Sequence, residues 1–161
     1  MKIPGIERKV GGFNFTRHED FSMENEKRKR ISIHEGLFRI PTSQSSEKPY
    51  LIGSRCRDCQ EVMFPSRSIC LNCFGDNFEE VALSSKGKLF TFTINYQGPK
   101  EFSTPYASGY IDLPEGVRIY SLLTDWENKD LKIGMEMELV IDKIKEDREG
   151  NEVVGYKFRP L

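Results

Sequence analysis

The sequence predicts a mainly β chain: an N-terminal helix, a zinc ribbon, then a five-stranded barrel of the OB-fold kind. Three observations in its 161 residues carry that prediction. Apolar and polar residues alternate with period 2 in stretches beyond residue 83, as in strands with one buried face. Four cysteines form two Cys-x-x-Cys pairs between residues 56 and 73. A single capped helical stretch lies near the N-terminus. The corresponding division is an arm and helix over residues 1–48, the ribbon over 49–82 and the barrel over 83–161.

Residues 1–15 are rich in Gly and Lys with scattered apolar side chains, and read as an arm. Thr16-x-x-Glu19 has the spacing of a capping box and opens a helix of about 12–15 residues that ends near Arg30. Its apolar anchors are thin (Phe21, Met23 and Ile31), so the helix needs a partner surface to persist. Glu24 and Arg28, like Glu26 and Arg30, stand four residues apart. The run Lys27-Arg28-Lys29-Arg30 therefore reads as a solvated helix end rather than a phosphate contact. Residues 41–49 form a polar linker bounded by Pro41 and Pro49.

In the barrel region Phe90, Phe92, Ile94 and Tyr96 share one face of a strand, with Thr91, Thr93 and Asn95 on the other. Tyr106 to Leu113 and Val117 to Thr124 are two further strands joined by the turn Pro114-Glu115-Gly116. Met135, Met137, Leu139 and Ile141 alternate with Glu136, Glu138 and Asp142 in a fourth. Glu149-Gly150-Asn151 then turns the chain into a last strand, Val153 to Phe158. Five strands without an intervening helical period suit a small closed barrel.

The cysteines are Cys56, Cys59, Cys70 and Cys73. Each pair can fold as a knuckle whose two thiolates meet one ion, and a hairpin containing Pro65 can bring the knuckles together. Four thiolates close a tetrahedral site that suits structural Zn²⁺ and leaves no open position. Iron in a rubredoxin-like site accepts the same ligands, and metal-free or redox-active thiols are compatible with the same spacing. Paired disulfides are not expected of a cytoplasmic protein. If all four ligate metal, none remains as a nucleophile. His18 and His34 lie outside the ribbon and barrel and read as surface or packing residues. No Gly-x-Ser-x-Gly elbow, P-loop or His-Glu-x-x-His motif is present. Catalysis by this chain alone is therefore not expected.

Charge narrows the field further. The chain carries 24 Lys+Arg against 25 Asp+Glu, a formal net charge of -1, and so lacks the basic excess of a general nucleic-acid or anionic-membrane binder. No run approaches the roughly 20 apolar residues of a membrane span. No apolar stretch follows Lys2 to act as a leader, so a cytoplasmic protein is expected. A nucleic-acid-binding ribbon/OB module is the alternative function. In that reading Phe90, Phe92 and Tyr96 would stack bases, although their shared face suits the barrel core.

Several segments together carry a resemblance. They are Ile52-Gly53-Ser54-Arg55-Cys56-Arg57-Asp58-Cys59, Phe64-Pro65-Ser66-Arg67 with Cys70 and Cys73, Gly87-Lys88-Leu89-Phe90-Thr91-Phe92-Thr93, and Thr104-Pro105-Tyr106-Ala107. Leu113-Pro114-Glu115-Gly116-Val117-Arg118, Ile133-Gly134-Met135-Glu136-Met137 and Phe158-Arg159-Pro160 complete the set. On these residues the chain, over about 19–161, resembles the zinc-ribbon/OB-fold family of acyl-CoA-associated proteins. Gln60 departs from the pattern, which usually has Gly after the second cysteine. The resemblance implies a rubredoxin-like ribbon and a non-catalytic accessory subunit of a heteromeric thiolase. The catalytic Cys and His would sit on a thiolase-fold partner. The lead-in Pro49-Tyr50-Leu51-Ile52-Gly53-Ser54-Arg55 is most similar to the branch that serves benzoylsuccinyl-CoA thiolases in anaerobic toluene degradation. In that setting Phe13, Phe15 and Phe21 would dock on the partner. Arg55, Arg57 and Arg67 of the ribbon would meet the phosphates of a CoA thioester shared with it.

Overall fold

The computed structural model describes residues 29–40, 48–99 and 103–161. In chain order its strands are β1 (Arg30–Ser32), β2 (Phe38–Arg39), β3 (Tyr50–Cys56), β4 (Val62–Met63), β5 (Phe78–Ala82), β6 (Lys86–Asn95), β7 (Tyr106–Asp112), β8 (Arg118–Leu123), β9 (Glu136–Glu146) and β10 (Glu152–Pro160). No helix occurs among the described residues. The helix expected from Thr16 lies outside them, but its expected end does not. Arg30 and Ile31 are strand, paired in parallel with Glu152 and Val153 of β10.

The last five strands close on themselves. β6 pairs with β7, β7 with β8, β8 with β10, β10 with β9 and β9 with β6. All of these pairings are antiparallel except β8–β10. This is a closed five-stranded barrel. Its interior is filled by Leu89, Ile111, Ile119, Met137, Leu139 and Phe158, each at most 3% exposed. Phe158 sits where the ring closes, opposite Leu123 on β8 and Leu139 on β9. The β7–β8 turn ends at Gly116, whose φ of +83° is the left-handed region that glycine enters without penalty.

One strand differs from the expected pattern. Phe90 and Tyr96 do not share the core face with Phe92 and Ile94: they are 45% and 74% exposed, whereas Phe92 and Ile94 pack against the core. Tyr96 lies one residue past the end of β6, whereas Phe90 is turned out by a β-bulge. Leu89 pairs with Ile111 and Thr91 with Tyr110, so Phe90 is an extra residue in β6 and the inward set resets after it. Gly109 opposite Phe92 is needed there, because a Cβ would lie 2.5 Å from the Thr91 carbonyl oxygen.

The ribbon is organised by β3, which pairs with β2, β4 and β5. Leu51, Ile52, Gly53 and Ser54 are all buried, so both faces of β3 are covered. Leu51 and Leu83, at either end of the ribbon, belong to the same core cluster as the barrel residues. A second, smaller cluster holds Cys56, Met63 and Cys70 with Cys59 and Phe78 against it. The ribbon thus has little apolar mass of its own. Polar ties brace the chain just outside the ribbon's two ends against the barrel: the Ser84 N–H and hydroxyl both donate to Glu115 at 2.7 Å, and Lys48 donates to Glu138 at 2.7 Å.

Candidate metal centre and its surroundings

β3 delivers Cys56 and, through a tight turn, Cys59. The Gln60 N–H donates to the Cys56 carbonyl at 2.9 Å, and Gln60 itself has φ +65°. The second knuckle repeats this geometry, with the Phe74 N–H donating to the Cys70 carbonyl at 3.0 Å and Phe74 at φ +61°. In both knuckles the residue after the second cysteine must turn left-handed, which explains the usual glycine. Here Gln and Phe accept the strain.

The four Sγ atoms lie within 4.8 Å of one another, with Cys56–Cys73 and Cys59–Cys70 both at 3.5 Å. These spacings far exceed a disulfide bond of about 2.05 Å. A regular tetrahedron of sulfurs around zinc, with Zn–S about 2.3 Å, has edges of about 3.8 Å. The thiols therefore fit a tetrahedral thiolate-bound ion. Cys56 and Cys70 are wholly buried and Cys73 is exposed, so the site is closed on the side of β3. With only protons to share, the thiols compete. The Cys73 backbone N–H lowers the Cys70 pKa to about 7. Cys73 is raised to about 12, because the Gly75 N–H that lowers it is outweighed by the Cys56 and Cys59 sulfurs. A bound cation removes that competition and holds all four as thiolates.

Around the knuckles the expected arginines separate. Arg55 and Arg57 converge on one carboxylate, Glu79 of β5, each at 3.5 Å. Arg67 takes no part in that ion pair and is exposed. The second knuckle carries the exposed apolar side chains of Ile69, Leu71 and Phe74. His34 hydrogen-bonds through Nδ1 at the Glu35 carbonyl, 2.7 Å away. His18 lies outside the described residues.

Two features were not expected from the sequence. Glu138, read as a solvent-facing carboxylate, has a side chain only 13% exposed and is held by Lys48 at 2.7 Å and Arg159 at 3.0 Å. Lys48 first and Arg159 second keep its carboxyl below the ordinary range. The bulge residue Phe90 lies on the outer face under Arg118, whose guanidinium carbon is 3.3 Å from the ring centroid. Tyr110 and Tyr120 meet edge to face beside it at 5.3 Å. Arg118 is bonded through two nitrogens to Asp112, at 2.6 and 3.0 Å, so this aromatic face offers no unpaired arginine at that point.

A four-thiolate ribbon fused to a closed five-stranded barrel defines the class: a zinc-ribbon/OB-fold protein. Family models agree on both parts, the ChsH2 rubredoxin-like zinc ribbon domain over residues 47–79 and the ChsH2 C-terminal OB-fold domain over residues 80–142. The chain is 38% identical over 129 residues to benzoylsuccinyl-CoA thiolase subunit BbsA of Thauera aromatica, covering 80% of this chain and 88% of that protein. It is 43% identical over 119 residues to a DUF35 domain-containing scaffold protein of Methanocaldococcus jannaschii, covering 71% and 84%. Among solved structures, the Ltp2-ChsH2(DUF35) aldolase shares the fold, with a TM-score of 0.59 at 24% identity over 69% of this chain and 84% of that one. The chain belongs to the ChsH2-type, DUF35 zinc-ribbon/OB-fold family.

Proposed function

We propose that this chain is the non-catalytic accessory subunit of a heteromeric thiolase that acts on an acyl-CoA in the cytoplasm. The observation that carries the reading is the convergence of all four cysteines on one metal site. A thiolase needs a free thiolate nucleophile, and this chain commits every thiol it has. The catalytic Cys and His then belong to a thiolase-fold partner, which this chain docks on and stabilises. The name of the Thauera relative supports the thiolase setting, and 2-benzoylsuccinyl-CoA as the acyl-CoA. The exposed Ile69, Leu71 and Phe74 on the second knuckle supply apolar docking surface.

Arg67, with Arg55 and Arg57 around Glu79, is the ribbon's contact for the phosphates of CoA held jointly with the partner. Alanine at these arginines in the assembled complex should raise KM for acyl-CoA severalfold with kcat kept; unchanged kinetics would remove the arginines from the site. The alternative reading, a nucleic-acid module, gains outer-face aromatics in Phe90, Tyr110 and Tyr120. It is weakened by the locking of Arg118 on Asp112 and by the net charge of -1. Affinity purification of the tagged chain from its native host decides between them. A stoichiometric thiolase-like protein is the expected companion. Recovery of the chain alone, or with nucleic acid, would overturn the accessory-subunit reading.

A further inference from the structure

Two clefts on the barrel lie side by side and share Tyr106, Leu122 and Ile144 as a common wall. One, of about 490 Å³, is apolar: Ile33, Leu37, Tyr120 and Tyr156 line it with the shared residues. Gly155 forms part of this lining, and a Cβ there would come within 2.9 Å of Ile144 and 3.1 Å of Ile33. The other, of about 530 Å³, is lined by Lys143, Lys145 and Lys157 against a single lining carboxylate, Glu146. Lys143 pairs with Glu146, and Lys157 with Asp142 at 2.8 Å. Lys145 is exposed and has no ion-pair partner among the described residues. Both volumes fall in the range of small-molecule sites, about 300–1,000 Å³.

An apolar chamber that opens beside an excess of lysines matches one chemistry. We propose that the two clefts form a single binding trough for an amphiphilic anion, with an acyl chain or aromatic ring in the apolar cleft and a carboxylate or phosphate head at Lys145. The apolar body gains by leaving water. The head gains a charge-assisted contact with a lysine whose charge no carboxylate among the described residues offsets. Lys143 can turn from Glu146 to the head, because both are surface groups in a weak, screened pair. The proposal stands apart from the subunit reading: it concerns this chain alone and needs no partner.

The test is calorimetric titration of the zinc-loaded full chain with octanoate, octyl phosphate, acetate and inorganic phosphate. Octanoate or octyl phosphate should bind at least tenfold more tightly than acetate or inorganic phosphate, which lack the apolar body. Which of the two octyl compounds binds more tightly identifies the head as carboxylate or phosphate. Lys145→Glu should weaken binding about tenfold and flatten its salt dependence. Ile33→Glu, at a half-exposed position, should weaken it by a similar factor by placing a carboxylate in the apolar cleft. Far-ultraviolet circular dichroism and zinc content check that both variants fold. The proposal is overturned by acetate or inorganic phosphate binding as tightly as its octyl counterpart, by no binding of octanoate or octyl phosphate up to millimolar concentration, or by affinities indifferent to both folded variants. A chain that recruits a thiolase partner yet fails this titration would leave the subunit reading intact.

Discussion

Removing the metal should destabilise the barrel as well as the ribbon, because the two share one core. Leu51 and Leu83 are 0% and 3% exposed and pack with Leu89, Ile111 and Phe158, yet both are held in place by the ribbon. Without thiolate ligation the ribbon has Met63 and Phe78 as its main local apolar support and should unravel. Each leucine then returns to water at a cost of about 1.5–3 kcal/mol, or roughly 3–6 kcal/mol for the pair. That is a large part of the 5–15 kcal/mol typical of a whole domain. The single tryptophan, Trp126, packs against the barrel core and reports on it without interference. With a urea slope of about 2 kcal/mol/M, chelation should lower the midpoint of the Trp126 transition by about 1.5–3 M. Leu51→Ala with metal retained should reproduce much of the shift, at about 2–5 kcal/mol. If the metal-free chain, verified by elemental analysis, unfolds at the same urea concentration as the holo chain, the shared-core reasoning is wrong.

The left-handed knuckle residues make the opposite kind of prediction. Gln60→Gly relieves about 1–2 kcal/mol of steric cost against about 0.5–1 kcal/mol of added chain entropy, so calorimetry should show a small rise in Tm, about 1–4 °C. Phe74→Gly should stabilise similarly while weakening recovery of a partner, since it removes an 80% exposed aromatic ring. Glu138 should make stability fall in acid. Its folded pKa is depressed, so its contribution is full above its unfolded value of about 4.3 and is lost as pH drops through the folded one. Glu138→Gln should therefore cost about 1–3 kcal/mol at pH 7, with a smaller penalty near pH 2; an equal penalty at both pH values would contradict this. Gly109→Ala should cost a few kcal/mol, because the Thr91 carbonyl it would strike is fixed in the β6–β7 pairing.

The parts legible in the sequence were those written in local pattern. Alternation located all five barrel strands, and the turn at Pro114-Glu115-Gly116 located a hairpin. The cysteine spacing located the four thiols that the fold brings together. What alternation could not reveal is an interruption of its own phase: Phe90 and Phe92 look equivalent until the partner strand counts Phe90 as surplus. β5 was missed because Glu79 and Glu80 give it no strand signature; its conformation comes from pairing with β3. Arg30 and Ile31 carry a helix-like charge pattern, but the open edge of β10 decides their conformation. The clasp of Lys48, Glu138 and Arg159 joins residues 90 and 21 positions apart, a separation no local reading spans.

β10 pairs with β9 along its length, and its other edge is shared between β8, at Lys157 and Phe158, and β1, at Glu152 to Val154. On the ribosome, β10 therefore emerges after all three of the strands that await it. Until it does, β1, β8 and β9 each present an unsatisfied edge, the kind of surface on which nascent chains associate wrongly. Biogenesis should accordingly be governed by the arrival of β10. Truncations ending before Glu152 should accumulate as insoluble material.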